Sequence, residues 1–262
     1  MTPPRVYKTE AVILGRIDLG EADRILTLYS PTVGKFRVVA KGARRPKSKL
    51  GGHLELLTHS ALMLARGQNL DIVTQAQTIE SFLPLRDDLW RASTAIYAAE
   101  LVNQFTPENM ENYPVFQLLL ETLRRVCQSQ DVELPLRYFE INLLTDLGYK
   151  PELYYCLGCK AQLEPRTNFF SANQGGVLCP ECRRKDSSAR SISLNALKVM
   201  RFFQKNDYPT ASRLKLTSEL SQELEQLTRY YIRCLLEREV KSVEWLDRLR
   251  REANDHLRRA TT

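Results

Sequence analysis

Apolar and polar residues alternate along the first eighty positions of the chain. Phe36, Val38 and Ala40 interleave with Lys35, Arg37 and Lys41, with Val39 the exception. A two-residue period puts one set on the buried face of a strand and the other toward solvent. The same reading gives candidate strands over Val6–Ile17, Arg24–Tyr29, Lys35–Lys41, Leu54–Leu64 and Leu70–Glu80. Ser30-Pro31-Thr32-Val33-Gly34 is a turn signal between two β-rich runs, which predicts a hairpin. Five strands in about 75 residues predict a small closed or partly open barrel, and the OB-fold is the commonest barrel of that strand number and size.

From residue 84 the period becomes helical. Pro84, with Asp87 and Asp88 just behind it, marks a helix start. Leu89, Ala92, Ile96, Ala99, Val102 and Phe105 form one apolar stripe, and Phe116, Leu120, Leu123 and Cys127 a second. Leu136, Phe139, Leu143, Leu144 and Leu147 form a third, closed by Gly148, a residue suited to a helix C-terminus. Ser193 is placed to cap a helix over Leu194–Asn206. Leu220, Leu224, Leu227, Tyr231, Cys234 and Leu235 make a further stripe, and a charged segment, Trp245–Arg259, follows. The pattern is α+β: an N-terminal five-stranded OB-fold barrel over residues 1–80, then an all-helical domain over 81–262. An excursion at 151–185 interrupts the helices. No internal repeat or low-complexity tract is present.

Charge adds a direction to this picture. The 262 residues carry a net charge of +7, unevenly spread. Residues 1–80 hold 12 Lys/Arg against 7 Asp/Glu, whereas residues 81–150 hold 6 against 10. A basic N-terminal region suggests a polyanionic partner. No apolar run is long enough to cross a membrane. The N-terminal apolar stretch, broken by Arg16 and Asp18, lacks the pattern of a secretion signal. A cytoplasmic protein is expected.

In a reducing compartment, clustered cysteines favour a metal over disulfides. Cys156-x-x-Cys159 and Cys179-x-x-Cys182 form two pairs. Each pair can make a tight turn whose backbone N–H groups point at the sulfurs, and four thiolates suit a tetrahedral Zn²⁺ ion. Gly158, Gly175 and Gly176 supply the backbone freedom such turns require. The ligand set has no histidine, so one structural zinc in a four-cysteine, zinc-finger-like module is expected. Cys127 and Cys234 lie on apolar stripes and read as buried core thiols.

The segment from Lys35 to Lys49 holds seven basic residues and no acidic one: Lys35, Arg37, Lys41, Arg44, Arg45, Lys47 and Lys49. Gly42, Pro46 and Gly51-Gly52 mark its second half as a loop leaving a strand. A cationic loop beside a barrel face is what binding to a phosphate backbone requires. No phosphate-binding loop, deaminase signature, carboxylate cluster with metal spacing or nucleophile elbow is found, so no enzyme is expected. Asp18, Glu21 and Asp23 read as a solvated loop. These residues leave a generic OB-fold/zinc binder of RNA or DNA open.

Gly20-Glu-Ala-Asp-Arg-Ile-Leu-Thr-Leu28, Gly34-Lys35, Ala40-Lys-Gly-Ala-Arg-Arg-Pro-Lys-Ser48 and Gly51-Gly52 closely resemble the N-terminal region of the bacterial RecO family. Leu83-Pro-Leu-Arg-Asp-Asp88, Thr106-Pro107, Gly148-Tyr149 and the cysteine pairs extend the resemblance over nearly the whole chain. The resemblance implies a non-catalytic recombination mediator in DNA repair, cytoplasmic and nucleoid-associated, with no membrane attachment. It implies an N-terminal OB-fold that binds single- and double-stranded DNA, and annealing of complementary strands. It further implies contact with the C-terminal tail of single-stranded DNA-binding protein (SSB), and action with RecR in loading RecA onto SSB-coated strands. Many such proteins lack some of the four cysteines, which implies a fastening role for zinc. Arg124 and Arg125 are candidates for the SSB-tail site, and Arg183, Arg184 and Lys185 could extend the DNA surface.

Overall fold

The computed structural model describes residues 5–260, with side chains as far as Glu252. Two compact units form among them, one from residues 5–128 and 244–260, the other from 129–243.

In the first unit, β1 (Val6–Leu19), β2 (Asp23–Ser30), β3 (Gly34–Ala40), β4 (His59–Ala65) and β5 (Asp71–Glu80) close a barrel in the order β1-β2-β3-β5-β4. This is the expected five-stranded OB-like barrel. All pairings are antiparallel except a short parallel seam, Val38 opposite Asp71 and Val39 opposite Ile72. Ala11, Ile13, Leu26, Leu28, Phe36, Val38, Ala40, Leu62 and Leu64 fill the interior. Phe36 is thus a core residue, as its alternation predicts. The β2–β3 hairpin turns at Gly34, whose φ of +73 favours glycine; a Cβ there would lie 1.9 Å from the Met110 carbonyl oxygen.

The strand expected from Leu54 begins instead at His59. Gly51–Leu54 is a 3₁₀ turn that drives Leu54 into the core, and Leu57 takes a left-handed φ of 65. An apolar run looks the same whether it lies in a strand or is delivered by a turn.

Helices α1 (Pro84–Asp87), α2 (Leu89–Phe105) and α3 (Tyr113–Gln128) complete this part of the unit. Asp88 caps α2, accepting from the backbone N–H of Trp90 and Arg91 at 2.8 and 3.0 Å. The buried face of α2 differs from the predicted stripe. Ala99 and Val102 are buried, but Leu89 is 56% and Ile96 38% exposed. Ser93 and Thr94 are buried instead, their hydroxyls donating to the carbonyls of Leu89 and Trp90. That back-bonding satisfies polar groups inside a packed helix, so polarity alone misassigned the face. On α3, Phe116, Leu120 and Leu123 are buried as predicted, while Cys127 is only half-buried. Compactness groups α2 and α3 with the barrel, so the division at 128–129 lies well after the change from strands to helices at 80–84.

The second unit begins with α4 (Glu133–Asp146), closed by Gly148 at φ +84 as predicted. A three-stranded sheet follows, with β6 (Asn168–Ser171) between β7 (Gly176–Leu178) and β8 (Arg190–Ile192). Then come α5 (Leu194–Lys205), α6 (Tyr208–Ala211) and α7 (Ser218–Leu236). Ser193 caps α5 by accepting from the Ala196 N–H at 3.1 Å. Leu136, Phe139, Leu144, Leu197, Met200, Phe203, Leu224 and Leu227 form the core. Cys234, expected to be buried with them, is half-buried. Arg137 and Glu140 are buried as an ion pair at 3.1 Å, with the Thr228 hydroxyl donating to Glu140 at 2.9 Å. Such a pair tolerates loss of neither partner. From Glu244 the chain rejoins the first unit within α8 (Lys241–Ala260), where Arg250 lies 5.4 Å from the Trp90 ring centroid.

His59, 3% exposed at the start of β4, has its imidazole pKa held below the usual value by burial. Glu10 (3.0 Å away) and Glu80 oppose that effect and Arg124 reinforces it, while the Phe116 ring packs edge-on. The folded chain therefore keeps His59 neutral, and the unfolded chain takes up the proton first as pH falls below about 6.5. Calorimetric melting temperatures should fall between pH 7.5 and 5.5, and fall less in His59→Gln; an equal fall in both proteins would refute this.

Candidate nucleic-acid interface and metal centre

The basic segment divides by geometry. Lys35 and Arg37 point outward from β3, as their alternation with buried Phe36 and Val38 requires. Both are engaged: Lys35 Nζ donates to the Asn103 carbonyl at 2.5 Å, and Arg37 pairs with Glu108 at 3.1 Å. Beyond Ala40 the chain turns tightly. The Gly42 N–H donates to Asp23 at 2.7 Å, Arg45 N–H to the Gly42 carbonyl at 3.1 Å, and Ser48 N–H to the Arg45 carbonyl at 2.9 Å. Ala43 is buried in the barrel core, which pins the loop. Arg44 bridges to the β1–β2 turn, donating to the Gly20 carbonyl at 3.0 Å and pairing with Asp18 at 3.5 Å. Lys41, Arg45, Lys47 and Lys49 are exposed and form no ion pair among the described residues. The result is a held loop carrying four uncompensated cations.

Lys49 also borders a groove of about 870 Å³ across β1, β4 and β5, lined by Lys8, Thr9, Met63, Thr74, Gln75 and Gln77. Sequence reasoning missed these residues. The signal for Thr74, Gln75 and Gln77 was present as polar positions on β5 with no basic run to draw attention.

Arg124 and Arg125, predicted as a cationic rim, both meet carboxylates of their own chain. Arg124 pairs with Glu80 at 2.9 Å and Glu121 at 2.7 Å, and Arg125 with Glu121 at 3.8 Å. Arg124 also borders a cavity of about 390 Å³ lined by Ile79, Phe82, Leu83, Pro84 and Cys127.

The four cysteines converge. The sulfurs of Cys156, Cys159, Cys179 and Cys182 all lie within 4.8 Å of one another, with Cys159 and Cys179 at 3.9 Å. Tetrahedral thiolates about 2.3 Å from one ion are separated by about 3.8 Å, so the set fits a metal. The first turn closes by Lys160 N–H donating to the Cys156 carbonyl at 2.8 Å, with Lys160 at φ 63. The second closes by Cys182 N–H donating to the Cys179 carbonyl at 3.0 Å. The β6–β7 hairpin, with Phe169 opposite Leu178, delivers Cys179 to the first pair. Gly158 is required by close approach, since a Cβ there would lie 2.8 Å from both Cβ and Sγ of Cys182.

Electrostatics explains what an ion would add. Burial resists ionisation of Cys156, but N–H groups of Cys179, Cys159 and Gly158 outweigh it and bring the thiol down to about 6. Burial, then the Glu181 carboxylate, pushes Cys179 up, and burial raises Cys182. Four thiolates cannot share this space without a cation to offset their repulsion. Of the histidines, His53 bonds Thr78 and His59 bonds Glu10, and the His256 side chain lies outside the described residues. The donor set is all sulfur and leaves no open position of the kind a catalytic metal uses.

The chain is similar to known proteins over nearly its whole length. A family model described as Recombination protein O N terminal matches residues 1–82, and one described as Recombination protein O C terminal matches residues 86–244. The chain is 46% identical over 250 residues to the DNA repair protein RecO of Dehalococcoides mccartyi strain CBDB1, covering 95% of this chain and 98% of that one. It is 46% identical over 246 residues to the DNA repair protein RecO of Roseiflexus sp. strain RS-1, covering 94% and 87%. With the same-named protein of Desulforamulus reducens the identity is 35% over 245 residues, covering 94% and 95%.

Replacing Cys182 by Ser, or Gly158 by Ala, should abolish stoichiometric metal on elemental analysis. Either change should also open residues 151–185 to limited proteolysis. Full metal content in both variants would show that the four sulfurs are not one site.

Proposed function

The chain belongs to the RecO family of DNA repair proteins, and from that premise we propose that it is a non-catalytic recombination mediator. It binds single- and double-stranded DNA, anneals complementary strands, and acts with RecR to help place RecA on SSB-coated strands in the cytoplasm. The observation that carries this reading is the held loop with four cations that form no ion pair among the described residues. Phosphates would take the places that carboxylates occupy around Arg37 and Arg44. Lys41, Arg45, Lys47 and Lys49 are the principal contacts in this reading. Arg44 shapes the loop, and Lys35 and Arg37 strengthen the field from β3. Contacts of this kind follow the backbone and do not select a sequence. Annealing then needs no covalent step, because a cationic surface offsets the repulsion between two strands and concentrates both.

The metal in this reading is one structural Zn²⁺. Cys156, Cys159, Cys179 and Cys182 would hold it in a closed tetrahedral shell, and it would supply cross-linking rather than Lewis-acid chemistry. The SSB C-terminal tail, acidic with an apolar end, would seat that end among Ile79, Phe82, Leu83 and Pro84. Arg124, with Arg125 behind it, would turn from Glu80 and Glu121 to the tail's carboxylates.

Reversing Arg45 and Lys47 to Glu should weaken single-strand binding at least tenfold. It should also flatten the dependence of log affinity on log salt by about 0.7 for each phosphate no longer neutralised. Unchanged affinity with an unchanged slope would sink the loop assignment. For the tail site, Arg124→Ala should weaken an SSB-tail peptide about tenfold by fluorescence anisotropy, roughly one charge-assisted hydrogen bond. Full affinity would move the tail elsewhere.

A further inference from the structure

The second unit carries a cationic cleft built partly on Arg183, one of the residues expected to extend the DNA surface. It lies where the 3₁₀ turn Pro180–Lys185, the strands β6 and β8, and α7 meet. Phe169, Arg183, Arg190, Ser191, Gln226 and Leu227 line about 490 Å³ of space. Two arginines flank it in an unusual state. The Arg183 guanidinium lies 4.7 Å over the Phe169 ring, and that of Arg190 lies 3.9 Å over the Tyr230 ring. Both arginines are exposed, and neither forms an ion pair among the described residues.

The surroundings preserve that state. Tyr230 is buried and fixed by its hydroxyl, which donates to the Ser188 carbonyl at 3.2 Å. Glu223 is the one carboxylate lining the cleft among the described residues, and it is committed elsewhere. It accepts from the Ser193 N–H at 2.6 Å and the Ser193 hydroxyl at 2.7 Å, closing the start of α5. Contact with a ring face uses an arginine's charge but not its hydrogen-bond donors. Both guanidinium groups are therefore held in place with donors still available.

The chemistry that matches is a phosphodiester next to a base. Each guanidinium can grip a phosphate through two N–H groups, and its outer face can take a stacked base. Leu227 offers an apolar floor, and Gln226 and Ser191 offer polar groups for a base edge. An acidic peptide would satisfy the donors but leave the stacking faces unused.

We infer that this cleft binds a segment of single-stranded DNA through Arg183 and Arg190, in addition to the barrel loop. One chain then holds two strands, which raises the effective concentration of one strand for the other during annealing. The inference rests on the reading that the barrel loop holds DNA.

The test uses the full chain with its metal and a fluorescent oligothymidine of about ten nucleotides, within the range one such site covers. Native protein should saturate at two strands per chain. Arg183→Gln with Arg190→Gln should saturate at one, keep the stronger affinity within about twofold, and anneal complementary oligonucleotides about tenfold more slowly, as removal of a base-stacking platform implies. Arg183→Lys with Arg190→Lys retains charge but neither fork nor stack, and should recover only a fraction of the second site. Should the Gln pair lose its metal, the Lys pair decides by the same criterion. Saturation at one strand in native protein, or unchanged stoichiometry and annealing in the deciding pair, overturns the inference. The barrel-loop reading fails separately, by native affinity in the Arg45→Glu, Lys47→Glu protein.

Discussion

The short parallel seam between β3 and β5 is the constraint on which the barrel unit depends. Two residue pairs, Val38 with Asp71 and Val39 with Ile72, turn an open sheet into a ring. Closure removes unpaired strand edges and gives the barrel an inside. The seam is buttressed at Asp71, which accepts from the Tyr7 hydroxyl at 2.6 Å and pairs with Arg66 at 3.3 Å, while Arg66 lies over the Tyr7 ring. Once the ring exists, alternation along β3 has only one outcome: Phe36, Val38 and Ala40 go in, and Lys35 and Arg37 go out. Beyond Ala40 no partner continues the ladder, so the chain must leave as a loop, and the cations leave with it.

Like charges crowd together at two places, and the protein resolves them differently. Four sulfurs meet in the second unit, where only a bound cation lets all of them ionise. On the barrel loop, Lys41, Arg45, Lys47 and Lys49 form no ion pair among the described residues. The first concentration of charge is drawn together by two tight turns; the second stays exposed on the barrel loop. Arg124 and Arg125 show a third outcome, in which Glu80 and Glu121 meet the cations within the chain. The arginines on Phe169 and Tyr230 belong with the exposed class, since their ring partners leave the donors unspent.

A cation held by the four sulfurs would tie two loops into one corner beside β6 and β7, where Phe170 packs edge-on against Tyr231 at 5.5 Å. The same corner presents Arg183 directly after the last ligand. Fastening and presentation would then be consequences of one arrangement.

The sequence by itself determined four of the five barrel strands, the barrel class, the cysteine quartet, the capping residues Ser193 and Gly148, and the basic run. Each is a short-range pattern: a period of two, a spacing of three, one residue type at one helix end. Tertiary structure decided what depends on distant partners. It placed Asn103 and Glu108 against Lys35 and Arg37, delivered Leu54 by a turn instead of a strand, and buried Ser93 and Thr94 while exposing Leu89 and Ile96. It also turned Glu223 away from Arg190. Whether a charge is free or spent is a property of the space around it, and residues far apart in the chain fill that space only once it has folded.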